Sequence, residues 1–273
     1  SECLVGSEMC IRDSYISGTT VGGLFGRLVV SAITDFVSWR MGLIAIGILY
    51  LAVGIAFFML LPKPKYQRQH QSGGLQLIKT FHTALANKKL LWIYLVAFLI
   101  MGSFVAVFNF ISYVLLAPPY SLSQTVVGLL FVVYLFGTFS STYMGRLSDQ
   151  QGNGRVLILG LLIMLTGGLL TLLQPLVFKF IGLAIFTFGM LGSHSVACGW
   201  VGKLNRGDKA QSSSMYMFFY YAGASSLGTL GGVFLESCGW SGVIGMVAAA
   251  VIICLLVVVR LELAVSQHLL WHQ

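Results

Sequence analysis

Residues 241–259 read SGVIGMVAAAVIICLLVVV, an apolar run without a single charged side chain. A helix needs roughly 20 predominantly apolar residues to cross the hydrocarbon core of a bilayer. Because lipid offers no water to unpaired backbone groups, a run of this length is expected to be helical, with its backbone hydrogen bonds made inside the segment. The stretch therefore predicts a membrane-spanning α-helix near the end of the chain.

Other segments repeat this pattern, and the composition of the whole chain agrees with them. Of the 273 residues, 57% are hydrophobic and 9% are charged, whereas a soluble domain has about a quarter of its residues charged. The alternating strands of a membrane β-barrel are absent from the sequence pattern. The sequence predicts an all-α integral membrane protein with eight spans, at residues 15–34, 41–61, 90–117, 125–144, 156–173, 176–201, 214–235 and 241–259.

The basic residues are distributed unequally between the connections. Only Arg40, and Lys179 near the start of the 176–201 span, are counted with the odd-numbered connections. Because the cytoplasmic loops of membrane proteins are enriched in Lys and Arg, the pattern predicts that the even-numbered connections and the C-terminus face the cytoplasm. Those regions hold Lys63, Lys65, Arg68, Lys79, Lys88, Lys89, Arg146, Arg155, Lys203, Arg206, Lys209 and Arg260.

Composition also divides the chain into regions. The first residues are polar, and the stretch EMCIRD at 8–13 resembles the translation of a sequencing-library adapter, so we interpret residues 1–14 as artefactual. Residues 62–89 are rich in Pro, Gln, Gly and basic residues, which is typical of a linker. The predicted regions are the artefactual segment, 1–14; the last two helices of an N-terminal half, 15–61; a cytoplasmic linker, 62–89; a six-helix C-terminal half, 90–262; and a cytoplasmic tail, 263–273.

No motif for a cofactor, a metal ion or a nucleic acid stands out. Cys198, Cys238 and Cys254 lack metal-ligand spacing. The GxxxxGK[ST] phosphate loop and the HExxH and GxSxG motifs of hydrolases do not occur in the sequence. The positive charge is scattered, whereas a nucleic-acid-binding surface gathers it on one face. We therefore expect no cofactor, no metal, no nucleic acid and no enzymatic activity, with a membrane-embedded enzyme or a non-transporting sensor as the less favoured alternatives.

The fourth connection carries the most distinctive motif of the chain. Residues 145–155 read GRLSDQQGNGR, which resembles the GxLaDrxGrk signature of the major facilitator superfamily, in the copy between helices 8 and 9. Residues 101–113, MGSFVAVFNFISY, and 194–200, HSVACGW, also look like those of inner-membrane transporters of this family. Gln150 and Asn153 stand where the signature has basic residues.

The resemblance implies a fold, an activity and a location. Residues 15–61 would be helices 5 and 6 and residues 90–259 helices 7–12, so that helices 1–4 are missing from this sequence. A secondary transporter that moves a small solute across the plasma (inner) membrane by alternating access is expected, with efflux coupled to protons. An uptake symporter of the same fold is the alternative. The expected partners are a small-molecule substrate, protons, the lipid bilayer and the missing helices 1–4.

The same resemblance assigns a cytoplasmic gate to the signature loop. The carboxylate of Asp149 is expected to pair with Arg146 or Arg155 and so to hold one conformation of the carrier. The alternative is that these are ordinary solvated loop charges. The predicted gate residues are Gly145, Arg146, Asp149, Gly152 and Arg155.

Four polar residues inside the predicted spans are candidates for the substrate or proton pathway. Arg27 has no acidic residue in any predicted span to neutralise it, so it faces the missing helices, binds an anionic substrate or backbone carbonyls, or extends to the membrane interface. His194 is either a proton relay or a neutral imidazole bonded across a helix interface. Asn109 and Tyr113 share one helix face, and by family analogy they are expected to converge with His194 on the substrate.

Small residues recur within two of the spans. Glycines let helices approach closely in lipid, where no hydrophobic effect drives them together. The set in the first span resembles the antiporter motif of helix 5 but lacks its Gly-Pro, so it indicates antiport only weakly. We expect helix packing at Gly18, Gly22, Gly26, Gly228, Gly231 and Gly232, and a packing or interfacial belt at Tyr216, Tyr220 and Tyr221.

Overall fold

A computed structural model of the chain describes residues 22–23, 25–26, 28–34, 36–60, 87–204 and 209–270, without the side chains of 209–210 and 264–270. Within these ranges every element is helical and no strand is present. Gly18, Arg27, the 1–14 segment and nearly all of the predicted linker at 62–89 lie outside the described residues. The predicted all-α class is confirmed.

The described residues between 22 and 36 are helical and precede the named elements. A short 3₁₀ turn, Leu130–Val133, joins the helices Gln124–Leu129 and Tyr134–Gln151 so that the two form one span. The helices are α1 Trp39–Leu60, α2 Lys88–Leu116, α3 Gln124–Leu129, α4 Tyr134–Gln151, α5 Asn153–Leu170, α6 Leu176–Leu204 and α7 Lys209–Leu270.

Among the described residues, 6 helices are long and apolar enough to cross a membrane. The last of them, Gln211–Leu263, has 53 residues and would be about 80 Å long if straight, whereas a bilayer core is about 30 Å thick. It is interrupted at Gly239, whose φ of 64° and ψ of −156° are accessible to glycine and to little else. It therefore supplies two crossings, α7a (209–238) and α7b (240–270), which contain the two predicted spans, 214–235 and 241–259.

The signature segment is more regular than expected. Of residues 145–155 only Gly152, with φ 92° and ψ 146°, lies outside helical structure. The predicted connection is reduced to this one residue, because both flanking helices continue past the last apolar residue into polar sequence. We call this end of the bundle, where α4 ends and α5 begins, the signature end.

Glycines set the closest helix contacts. α2 and α7a run parallel, because Phe98, Val105 and Phe110 meet Gly223, Gly228 and Gly231 in the same order along both helices. α5 and α6 run antiparallel, with their closest approaches at Gly160, Gly167, Gly182 and Gly189. Gly228 lies against Val105, and Gly231 and Gly232 lie against the ring of Phe110.

The helices that precede α2 have few neighbours within the described residues. α1 buries only Gly42, which packs on Val30 and Thr34. Gly26 of the upstream segment lies close to the Tyr50 hydroxyl of α1, whereas no atom lies within 4 Å of the Cβ position of Gly22. The upstream segment reaches the rest of the bundle where Ser31 contacts Gly128 of α3.

At the end of the bundle opposite the signature end, Lys179 is buried inside α6. The sequence had suggested that this residue belongs to a connection. Only 4% of the residue is exposed. Its Nζ donates to the carbonyl of Thr171 at 2.9 Å and lies 5.5 Å from the centroid of the Tyr120 ring. The indole of Trp240 donates to the same carbonyl at 3.2 Å. The cation thus neutralises the C-terminal end of α5, where the helix dipole is negative.

Candidate functional site

A polar cleft of about 250 Å³ lies at the signature end of the bundle, between α4 and α6. We call it the α4–α6 cleft. Its walls combine charged residues with small residues that leave room between the two helices. The lining residues are Ser141, Thr142, Gly145, Arg146, Ser148, Asp149, Asn153, Ser195, Gly199 and Lys203.

An ion pair crosses this cleft. Nζ of Lys203, in the last turn of α6, lies 2.9 Å from Oδ1 of Asp149 in α4. The same ammonium donates to Oδ1 of Asn153, in the first turn of α5, at 3.0 Å. One cation therefore holds together the ends of three helices.

The prediction that Asp149 pairs with Arg146 or Arg155 is wrong in this conformation. Of the described residues, Lys203 is the one that makes a salt bridge with it, whereas Arg146 lines the cleft and Arg155 is exposed. The reason is the length of α6. The helix continues to Leu204, beyond the predicted end at residue 201, and so carries Lys203 to the level of Asp149.

The ion pair is weak. The side chains of Lys203 and Asp149 are 55% and 50% exposed, and pairs of this exposure contribute about 0.2–1 kcal/mol to stability. An interaction of this size does little to hold the fold together, but it can be broken and re-formed at low cost. The geometry suits a contact that changes between conformations.

The two signature glycines have separate roles in this geometry. Gly145 lines the cleft, and a Cβ there would lie 3.5 Å from Oγ of Ser195, an ordinary van der Waals distance. Gly152 makes the sharp change of direction between α4 and α5, at a φ that residues with a side chain rarely adopt. Both glycines therefore shape the cleft without taking part in its charge interactions.

His194 lies deeper in α6, in an aromatic cluster. Its Nδ1 is 2.9 Å from the hydroxyl of Tyr216, and its ring centroid is 4.5 Å from that of Tyr220. The imidazole is 8% exposed and Tyr216 is fully buried. Since the histidine has a hydrogen-bond partner on α7a, the arrangement suits either of the roles predicted for it.

The structure does not bring the other pathway candidates to His194. Asn109 and Tyr113 are exposed on α2, and Asn109 lies near Gly228 of α7a. His194 contacts α7a at Tyr216, and residues 216 and 228 are about 18 Å apart along the helix axis. The expected convergence is therefore absent from the described residues, and Arg27 lies outside them.

Sequence reasoning missed three residues of the cleft. Lys203 was used only as evidence for orientation, although its charge beside a predicted helix end was the available signal. Asn153 was treated as a loss of charge from the signature, whereas its amide oxygen accepts from Lys203. Ser195 was not singled out, and nothing in the sequence placed it across from Gly145. No group of residues that could hold a metal ion is found among the described residues.

Comparison with known proteins places this helical bundle in a family. A family model described as Major Facilitator Superfamily matches residues 14–122 and again residues 103–269. The chain belongs to the major facilitator superfamily. Membership and the long apolar helices together make this superfamily protein a multi-pass membrane protein of all-α fold.

Individual relatives support the same family. The chain is 41% identical over 243 residues to the uncharacterized MFS-type transporter YybF of Bacillus subtilis strain 168. The matched region covers 88% of the chain and 60% of YybF. It is 41% identical over 248 residues to the inner membrane transport protein YnfM of Escherichia coli strain K12, covering 91% of the chain and 60% of YnfM. An uncharacterized transporter of Buchnera aphidicola subsp. Schizaphis graminum is 36% identical over 248 residues, with the same coverage. The chain spans about 60% of the length of these relatives.

Proposed function

We propose that this superfamily protein is the larger part of a secondary transporter that exports a small solute by alternating access, driven by protons. In this proposal residues 15–61 are helices 5 and 6 of the carrier, and α2 to α7b are its helices 7–12. Helices 1–4 complete it and face the exposed surfaces of α1 and α2. The named relatives are transporters by description, which supports the general class but not the solute.

The observation that carries the proposal is the Asp149–Lys203 pair in the α4–α6 cleft. A carrier must close and open access at each end of its bundle in turn. The pair joins three helix ends at one end, and its exposure makes it cheap to break. We assign it the role of a closing contact, with Gly145, Arg146, Gly152 and Arg155 shaping its surroundings.

The proposed orientation puts the signature end in the cytoplasm of a cell whose plasma (inner) membrane holds the protein. Lys88, Lys89 and Lys203 lie in the helix turns at this end. At the other end Arg40 lies in the first turn of α1, while Lys179 is buried and bonded to the chain itself. The surplus of positive charge at the signature end supports the cytoplasmic assignment.

Proton coupling is assigned to His194 through its contact with Tyr216. An imidazole can bind and release a proton, and a tyrosine hydroxyl within hydrogen-bond distance can accept or donate when it does. Asn109 and Tyr113, exposed on α2, are assigned to the solute path, separate from this pair.

Flux measurements test the proposal. The full-length protein, in proteoliposomes with a panel of radiolabelled cationic, neutral and anionic solutes, is expected to move at least one of them faster under an imposed pH gradient. Transport against the proton gradient supports the assigned antiport. Transport along it supports the uptake symporter instead. Solute binding without flux in any direction would identify a sensor, and the proposal would be wrong.

A further inference from the structure

Glu262 of α7b lies against the start of α5, close to the α4–α6 cleft. Its Oε2 atom occupies the space that a Cβ of residue 154 would take, so its carboxylate can fit there only because residue 154 is glycine. Gly154 is buried and Glu262 is half-buried. A long acidic side chain is therefore packed into the first turn of another helix.

The electrostatics of this turn favour such a contact. The first N–H groups of any helix have no acceptor inside it, and the dipole makes that end positive. Gly152, the N-cap of α5, makes no side-chain cap hydrogen bond. The side-chain oxygen of the next residue, Asn153, accepts from Lys203. A carboxylate supplied by α7b thus brings negative charge to a helix end that its own N-cap residue does not cap.

The contact places the start of α5 between two acidic residues. Asp149 approaches from the α4 side through Lys203, and Glu262 approaches from the α7b side. If α5 shifts, Asn153 can no longer hold Lys203 in its present position. We propose that Glu262 is a positioning residue of the closing contact: with its carboxylate packed against the first turn of α5, it couples α7b to the width of the α4–α6 cleft. This inference rests on the gate role proposed above.

Cleft width can be read from the reaction rate of a cysteine. Gly199 lines the cleft, and nothing lies within 4 Å of its Cβ position, so Gly199→Cys fits without disturbing the walls. In a full-length protein otherwise free of cysteine and held in nanodiscs, a maleimide reports the opening of the cleft by its rate of labelling.

Glu262→Gln is expected to raise this rate about fivefold, the scale of a charge interaction with a helix end. Glu262→Asp should stay near the parental rate because it keeps the charge. Gly154→Ala, which displaces the carboxylate without removing it, should label as fast as Glu262→Gln. Glu236→Gln is the control, because Glu236 is an exposed acid at the far end of α7a. Melting temperatures are measured for every variant.

Lys203→Gln separates this inference from the proposed function. If Lys203→Gln labels faster but Glu262→Gln and Gly154→Ala do not, the positioning role of Glu262 is wrong and the gate stands. If Glu262→Gln and Gly154→Ala label faster but Lys203→Gln does not, the coupling of α7b to the cleft width stands and the Asp149–Lys203 gate is wrong. If none of the variants changes the rate, both are wrong. If Glu262→Gln lowers the melting temperature, the rate at which maleimide labels the Gly154→Ala variant decides whether Glu262 has the positioning role.

Discussion

Reversing one charge of the cleft, by Asp149→Lys or by Lys203→Asp, is expected to lower solute flux by at least about tenfold. Each reversal puts like charges where the structure has a salt bridge of 2.9 Å. In the closed conformation these charges repel, so the contact no longer forms. The double exchange Asp149→Lys with Lys203→Asp restores attraction and should recover a large part of the flux.

The melting temperature distinguishes a gate from a structural bridge. Because both side chains are half exposed, each single reversal should change the free energy of unfolding by no more than about 1 kcal/mol. Lys88→Asp, at an exposed position in the first turn of α2, is the matched control and should transport normally. Single reversals with normal flux, or a double exchange as inactive as either single variant at equal protein yield, would refute the assigned role.

The second large effect is expected on folding. Gly223→Val puts a side chain against the backbone carbonyl of Phe98, which cannot move without displacing α2. Overpacking a core typically costs 1–3 kcal/mol, and a clash with backbone belongs at or above the upper end of that range. We expect a loss of about 3 kcal/mol or more in stability, visible as a loss of monodisperse protein after detergent extraction.

Gly245→Val in α7b is the control for this prediction. No atom lies within 4 Å of the Cβ position of Gly245, and the residue is exposed. Thermal unfolding followed by size-exclusion chromatography should show near-parental stability for this variant. Equal losses from both substitutions would mean that helix propensity, and not the contact between α2 and α7a, explains the effect of Gly223→Val.

The class of fold follows from the sequence because lipid limits the choice of structure. The apolar run at 90–117 predicts α2, observed at Lys88–Leu116, almost to the residue. Helix ends in polar sequence are harder to predict, because hydropathy marks the part of a helix that lies in lipid and not the whole helix. For this reason Lys179 and the 145–155 segment were assigned to connections although both lie in helices.

The site was only half predictable for a related reason. Asp149 is recognisable from the signature, but its partner depends on which helix end lies across the cleft. Lys203 is more than fifty residues away in sequence and becomes a neighbour only because α6 packs on α4. Family analogy likewise brought Asn109 and His194 together, although helix packing holds them at different depths along α7a.

Glycine spacing gave an incomplete account of packing. The sequence singled out the crowded glycines near residue 230, yet Gly223 and Gly102 also make close contacts between α2 and α7a. The contact between α5 and α6 uses Gly160, Gly167, Gly182 and Gly189. Spacing within a helix predicts a smooth face, but it does not identify the helix that packs on that face.

A disulfide across the cleft tests most directly whether this cleft must open for transport. The Cβ position of Gly145 is 3.5 Å from Oγ of Ser195, which brings cysteine sulfurs at these two positions within reach of each other. Gly145→Cys with Ser195→Cys should therefore cross-link in a background without Cys198, Cys238 and Cys254. The reduced double variant sets the baseline flux, and each oxidised single variant controls for the oxidant. We predict that oxidation stops solute flux and that reduction restores it. Full flux from protein that is completely cross-linked would contradict a gate at the α4–α6 cleft.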